Sequence, residues 1–201
     1  RLPTMRKMPS ASVHLVSLAL VAAVATTPAM GAAARAPSES PPPQLTGHFM
    51  LTTLDGAVVT DSTYRGKWLL VFFGYTFCPD VCPTVLSQIG SALDGLGALA
   101  SNVQPLFITV DPARDTAAVL TEYLASFDRR IVGLRGAPAQ LQAVAKAYHV
   151  YYRPRNLGNG DYVVDHSAFI HVVDPQGRVV KLLNGDSSGH KLTNELRSLL
   201  Q

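Results

Sequence analysis

Both cysteines of this chain lie in one short stretch, Gly74-Tyr75-Thr76-Phe77-Cys78-Pro79-Asp80-Val81-Cys82-Pro83, at the end of its most hydrophobic run, Trp68 to Phe73. Thiols four positions apart face the same side wherever the backbone turns helically. Their Cα atoms then sit about 6 Å apart, inside the range for a disulfide and close enough for two sulfurs to share one metal ion. Three chemistries are open to the pair: a structural bridge, a redox-active disulfide of Cys78 and Cys82, or a soft-metal site. A bridge closing so small a ring removes little entropy from the unfolded chain, which weakens the structural option. A metal site needs a further ligand, and the sequence offers one only far downstream.

Six histidines are the candidates. His14 falls in an N-terminal apolar segment. His48 precedes the first strand, His149 ends a helix and His190 lies near the start of the last one, all ordinary surface or capping positions. His171 sits inside a strand, where a partly buried structural role is expected. His166 differs: in Asp161-Tyr162-Val163-Val164-Asp165-His166-Ser167 it ends an irregular segment, just before a strand beginning at Ala168. Two thiolates and one imidazole form a soft three-donor set that suits copper, as Cu(I) or Cu(II). Closed structural zinc wants four ligands, and there is no third cysteine.

The elements that must position these groups follow from periodicity. Phe49 to Leu54 and Ala57 to Thr60 flank Asp55-Gly56, a two-residue hairpin signal. Trp68 to Phe73 reads as a strand buried on both faces. It runs into the cysteine loop, and the loop into a helix carrying Val85, Leu86, Ile89, Leu93 and Leu96, with Pro83 in the first turn. Val103 to Val110 reads as a second buried strand stopped by Asp111-Pro112. Thr116 to Phe127 reads as a helix capped by Asp115 or Thr116.

Ile131 to Leu134 is a short strand, Gly136-Ala137-Pro138 opens a helix, and Val150 to Tyr152 is a further strand candidate. Arg153 to Asp161 reads as loop throughout. Ala168 to Val173 and Arg178 to Leu183 flank the turn Asp174-Pro175-Gln176-Gly177, and Lys191 to Leu200 makes a final helix. Strand, helix, strand, then helix, hairpin, helix is the thioredoxin layout. The expected class is α/β, thioredoxin-like, with an added N-terminal β-hairpin and a mid-chain insertion. In such a sheet ligands gather beyond the C-terminal ends of the strands, where the cysteine loop falls. The strand after His166 neighbours the cysteine strand in this layout, which aims that loop at the dithiol.

The N-terminus reads separately. Met5-Arg6-Lys7 begin it with positive charge, Ser12 to Ala25 are largely apolar, and small residues follow to Ala34. That is the order of a secretory signal, with Ala29-Met30-Gly31 as the cleavage site. The apolar run is shorter than the ~20 residues of a spanning helix, so export is favoured over anchoring. The expected organisation is an export signal or membrane anchor over 1–36, a proline-rich spacer over 37–44 and a copper-binding domain over 45–201. The net charge of +3 is misleading, because residues 37–201 carry 13 basic against 14 acidic groups. Without a basic cluster interleaved with aromatics, a nucleic-acid partner has no support.

Three motifs, Cys78-Pro79-Asp80-Val81-Cys82-Pro83, Asp111-Pro112-Ala113-Arg114-Asp115-Thr116 and Asp161 to Ser167, together resemble the SCO/SenC family of thioredoxin-fold copper proteins of cytochrome c oxidase assembly. The likeness runs from about residue 45 onward and includes Phe127-Asp128 and Gly133-Leu134. It implies that Cys78, Cys82 and His166 are copper ligands, with Asp111, Asp115 and Asp165 as residues supporting them. It also implies transfer of the metal to the binuclear copper centre of the oxidase, from a periplasmic copper donor, by an exported protein with a tether to the inner membrane as one option. Reduction of that centre's cysteines by the dithiol is a related implication. By residue chemistry alone, Asp111 and Asp115 read as turn and helix-cap residues. Arg135, where a small polar residue is expected, and Phe77, often His in relatives, depart from the pattern and touch only peripheral contacts.

The rival is a thiol-disulfide oxidoreductase or thiol peroxidase of the cell envelope. Against it stand the Cys-x3-Cys spacing in place of Cys-x2-Cys and the absence of proline directly before Ala168, where thioredoxins carry one.

Overall fold

The computed structural model describes residues 47–158 and 160–200. The export segment expected over 1–36 and the spacer over 37–44 lie outside the described residues. Nine strands and four α-helices are described: β1 (Met50–Thr53), β2 (Val58–Thr60), β3 (Trp68–Gly74), α1 (Val81–Leu96), β4 (Val103–Thr109), α2 (Ala117–Leu124), β5 (Val132–Arg135), α3 (Pro138–Ala147), β6 (Tyr152–Asn156), β7 (Tyr162–His166), β8 (Phe169–Val173), β9 (Val179–Asn184) and α4 (Gly189–Leu199). Seven strands form one sheet in the order β2-β1-β5-β4-β3-β8-β9, and β6 and β7 form a separate two-stranded ribbon. This is the expected thioredoxin-like α/β fold. No helix among the described residues is long and apolar enough to cross a membrane.

Strand β3 is interior to the sheet. It pairs in parallel with β4, from Trp68 opposite Val103 to Gly74 opposite Thr109, and antiparallel with β8. Leu69 to Phe73 are buried without alternation, because both faces of the sheet are covered. The apolar stripe of α1 (Cys82, Val85, Leu86, Ile89, Leu93 and Leu96) is buried as its helical spacing dictates, and α4 packs alongside it. The predicted Asp55-Gly56 hairpin joins β1 and β2, with Gly56 at φ +94.

Three expectations need correction. Residues 153–161 are not loop throughout: Tyr152 pairs with His166 and Asn156 with Tyr162, so an antiparallel ribbon replaces the loop. Its first strand is exposed on both faces after Tyr152 and carries Pro154, so no alternating apolar pattern announces it. The strand expected from Val150 starts only at Tyr152, after a turn in which His149 takes φ +52. Helix α2 ends at Leu124 rather than Phe127, and Thr116 is its cap, the hydroxyl accepting from the Val119 N–H at 3.3 Å.

His171, on β8, is buried among Phe73 and Tyr148, both edge-on to its ring, and its Nε2 bonds the Tyr148 carbonyl at 3.0 Å. Burial holds its imidazole below the usual histidine range. The unfolded chain therefore takes up a proton near pH 6.5 that the folded one refuses. This contribution to stability is fully present above that pH and is lost as pH falls below it. Urea unfolding at pH 7.5 and 5 tests it: His171→Gln should lose less stability over this interval than the unaltered protein. An equal loss in both proteins would refute it.

Candidate metal centre

The site is built where β3 meets α1. Cys82 is the second residue of α1 and is fully buried, while Cys78 lies in the preceding loop and is partly exposed. The loop closes one turn early, with the Cys78 N–H bonding the Tyr75 carbonyl at 3.3 Å, and the Cys82 N–H reaches back to the Cys78 sulfur at 3.4 Å. Gly74 permits this junction, since a Cβ there would stand 2.8 Å from both the Cys82 sulfur and the Phe107 ring. Both sulfurs therefore face one side, as their spacing predicts.

The third donor arrives on the ribbon. His166 ends β7, and its Nε2 lies 3.5 Å from the Cys82 sulfur. The donor atoms of Cys78, Cys82 and His166 all lie within 4.8 Å of one another. His166 Nδ1 sits 3.0 Å from the Ser167 carbonyl, which can only accept, so Nδ1 carries a proton and Nε2 is the nitrogen that faces the sulfurs. Tyr75 and Phe72 pack edge-on to the imidazole at 5.8 and 6.2 Å between centroids.

The two thiols are electrostatically unequal. The Cys82 thiol, hydrogen-bonded to Cys78, holds the Cys78 sulfur at about 4, far below the ordinary thiol range, with help from His166 and against the opposing effect of burial. The same bond, then burial and the Cys78 charge, push the Cys82 thiol up. In the metal-free protein one thiolate and one thiol share a proton between them.

Of the supporting acids, Asp115 is fully buried and accepts from the Thr76 N–H at 3.2 Å and from the Thr76 and Thr109 hydroxyls at 2.6 Å each. Burial raises its carboxyl above the usual range, and these bonds partly offset it. It is thus no helix cap but the post under the cysteine loop. Asp111 is buried too, binding Arg114 Nε at 2.5 Å and accepting from the Tyr162 hydroxyl at 2.7 Å. Neither carboxylate reaches the donor atoms. Asp165 is turned away from them: adjacent strand residues point to opposite faces, and Asp165 is exposed and ion-paired with Arg155 at 3.0 Å across the ribbon. Sequence reasoning missed Thr76, Thr109, Arg114 and Tyr162. The only signal was the Asp111-to-Arg114 spacing, which suits a local ion pair.

A family model described as SCO1/SenC matches residues 37–201. The chain belongs to the SCO1/SenC family. Protein sco1 of Schizosaccharomyces pombe is 38% identical over 160 residues, 78% of this chain and 61% of that protein. Protein SenC of Rhodobacter capsulatus is 43% identical over 145 residues, 72% of this chain and 66% of its own. The structure of Bradyrhizobium japonicum ScoI with copper bound aligns with a TM-score of 0.71 at 42% identity, covering 76% of this chain and 98% of that one. The chain spans about half to two thirds of the length of the curated relatives it matches. For a SCO1/SenC chain the ribbon is the mid-chain insertion into the thioredoxin layout, and it carries the only nitrogen donor grouped with the two sulfurs among the described residues.

Two outcomes test this geometry. In reduced, metal-free protein, iodoacetamide should label Cys78 at a rate nearly independent of pH from 5.5 to 8, and Cys82 far more slowly. A Cys78 rate that climbs with a midpoint near the ordinary thiol pKa of ~8.5 would contradict the assignment. Asp115→Ala strands the Thr76 and Thr109 donors and should cost about 2–4 kcal/mol in chemical denaturation. A cost below about 0.5 kcal/mol would show that the loop does not rest on it.

Proposed function

We propose that this protein is a copper chaperone that takes up one copper ion on Cys78, Cys82 and His166 and passes it to the binuclear copper centre of cytochrome c oxidase. The observation that carries the reading is the convergence of two sulfurs and an imidazole nitrogen, 84 residues apart in sequence, within 4.8 Å. The chemistry of the donor set fits copper: soft thiolates with one imidazole, and too few ligands for closed structural zinc. One sulfur is already ionised, so loading requires only the Cys82 proton to leave. Cys78 is partly exposed, which leaves an approach for a recipient's ligands. The copper-bound ScoI at 42% identity supports the choice of metal, and the recipient is the one that the motif resemblance implies.

Only reduced sulfurs bind, so the thiol redox state gates uptake. In an oxidising compartment the free pair closes to a Cys78–Cys82 disulfide. The order of residues 1–36 supports the export reading, and relatives include a protein named as mitochondrial and a bacterial SenC. The low pKa and exposure of Cys78 also favour a second reading, a thiol-disulfide oxidoreductase acting on one protein partner.

A series of Cys78→Ala, Cys82→Ala and His166→Ala, read by copper stoichiometry and by reduction of a small disulfide, separates the two. The chaperone reading expects one copper per unaltered chain and affinity at least about tenfold weaker in each variant, with negligible turnover. Full copper affinity in His166→Ala, together with turnover abolished by either cysteine change, would establish the oxidoreductase instead.

A further inference from the structure

We propose that Arg114 is a positioning residue: it pins the β6–β7 ribbon to the cysteine loop and so sets the distance between His166 and the dithiol. The proposal rests on the copper-site reading above and extends it to the part of the molecule that holds the nitrogen donor in place.

The ribbon is not hydrogen-bonded into the main sheet. An open apolar cleft of about 390 Å³ borders it, with Tyr152, Pro154 and Val164 on the ribbon side and Val110, Pro138 and Leu141 on the other. Among the ribbon's strand residues only Val164 is buried, where its backbone also hydrogen-bonds the Tyr75 side chain, so packing anchors the ribbon at one point and holds the rest lightly. Arg114 supplies what packing omits. Its Nη1 donates to the Tyr162 carbonyl at 2.9 Å, and its Nε donates to Asp111 at 2.5 Å. The second oxygen of Asp111 accepts from the Tyr162 hydroxyl at 2.7 Å, which closes a triangle of three residues.

The guanidinium also lies 3.7 Å from the Tyr162 ring centroid, 4.6 Å from that of Phe77 and 5.8 Å from that of Tyr75. Phe77 adjoins Cys78, and Tyr75 packs on His166. One side chain thus spans the ribbon, the cysteine loop and the turn after β4. Its Nη2 is shut off from solvent and makes no hydrogen bond, so the aromatic faces add to the Asp111 ion pair in compensating its charge. A planar, forked cation meets these demands together, and an ammonium cannot.

The test uses copper(I) affinity, measured by competition with a chromophoric chelator, for the reduced protein, Arg114→Lys, His166→Ala and the double variant. Arg114→Lys keeps the charge and loses the fork. It should weaken copper(I) about tenfold alone and add nothing in the His166→Ala background, since it acts through that imidazole. In the same proteins without metal, amide hydrogen exchange over β7 should speed up about tenfold in Arg114→Lys, while β3 and β4 stay unchanged. Tyr162→Phe, which loses only the bond to Asp111, should shift both readouts the same way by less, and serves if the lysine variant does not fold. Independent, additive effects in the affinity cycle, or unaltered β7 exchange, overturn the proposal. Wild-type affinity in His166→Ala would remove the copper-site reading itself, and the exchange measurement, which needs no copper, then decides by itself whether Arg114 holds the ribbon.

Discussion

The site depends first on a buried carboxylate. Strands β3 and β4 run in parallel register, so Gly74 and Thr109 end side by side and two loops leave the sheet at one level. Backbone leaving a sheet in this way carries donors without strand partners, and buried donors must be satisfied. Asp115 answers that demand. It reaches Thr76 in one loop and Thr109 at the end of the other strand, and its own carbonyl accepts from Arg135 Nε at 2.8 Å. The cysteine loop is thereby referred to β4 and β5 as well as to its own strand. Asp111 and Arg114 then extend the same turn outward to the ribbon.

That arrangement has an electrostatic consequence. A carboxylate without exposure and two sulfurs within a few ångströms of one another cannot all be ionised cheaply in a poorly solvated site. The structure resolves the conflict by inequality. The charge sits on Cys78, the more exposed sulfur, while Cys82 keeps its proton, opposed to ionisation by Cys78, by burial and by Asp115. A cation arriving between the sulfurs reverses the balance, because it favours the second thiolate. The energetic preference for a soft cation over an empty dithiol is built from the same groups that position the sulfurs.

Much of this was legible in the sequence for identifiable reasons. The unbroken apolar run from Trp68 to Phe73 marked β3, and a mostly apolar run interrupted by Gln104 marked β4, because a strand covered on both faces has no polar side. Asp55-Gly56 and the Asp174 to Gly177 turn marked hairpins, because their backbones demand special residues: Gly56 and Gly177 take φ of +94 and +82. The Cys-x3-Cys spacing placed both sulfurs on one side of a helix start. His166 was singled out only because the strand after it must border the cysteine strand. The ribbon was invisible, because its partner is another exposed strand and it buries too little to impose a period. Asp115 looked like a cap because it precedes a helix, and only the spatial nearness of Thr76, 39 residues earlier, reveals its work. Asp165 looked like support for its neighbour His166, yet strand alternation turns the two apart.

Arg135 and Phe77, the two residues expected to depart from the family pattern, bear on the same framework and are less peripheral than their sequence positions imply. Arg135 bonds the carbonyl of Asp115, and Phe77 lies under the Arg114 guanidinium. Each touches a residue that supports the donors rather than a donor itself. A histidine at position 77 would add a titratable nitrogen beside Cys78 and a competing charge beside Arg114. Phenylalanine removes both and offers a neutral face to the cation. It is also 58% exposed, so its other face is open to solvent beside Cys78. Phe77 therefore supplies a stacked contact that binds the loop to Arg114, and through Arg114 to the strand that delivers the imidazole.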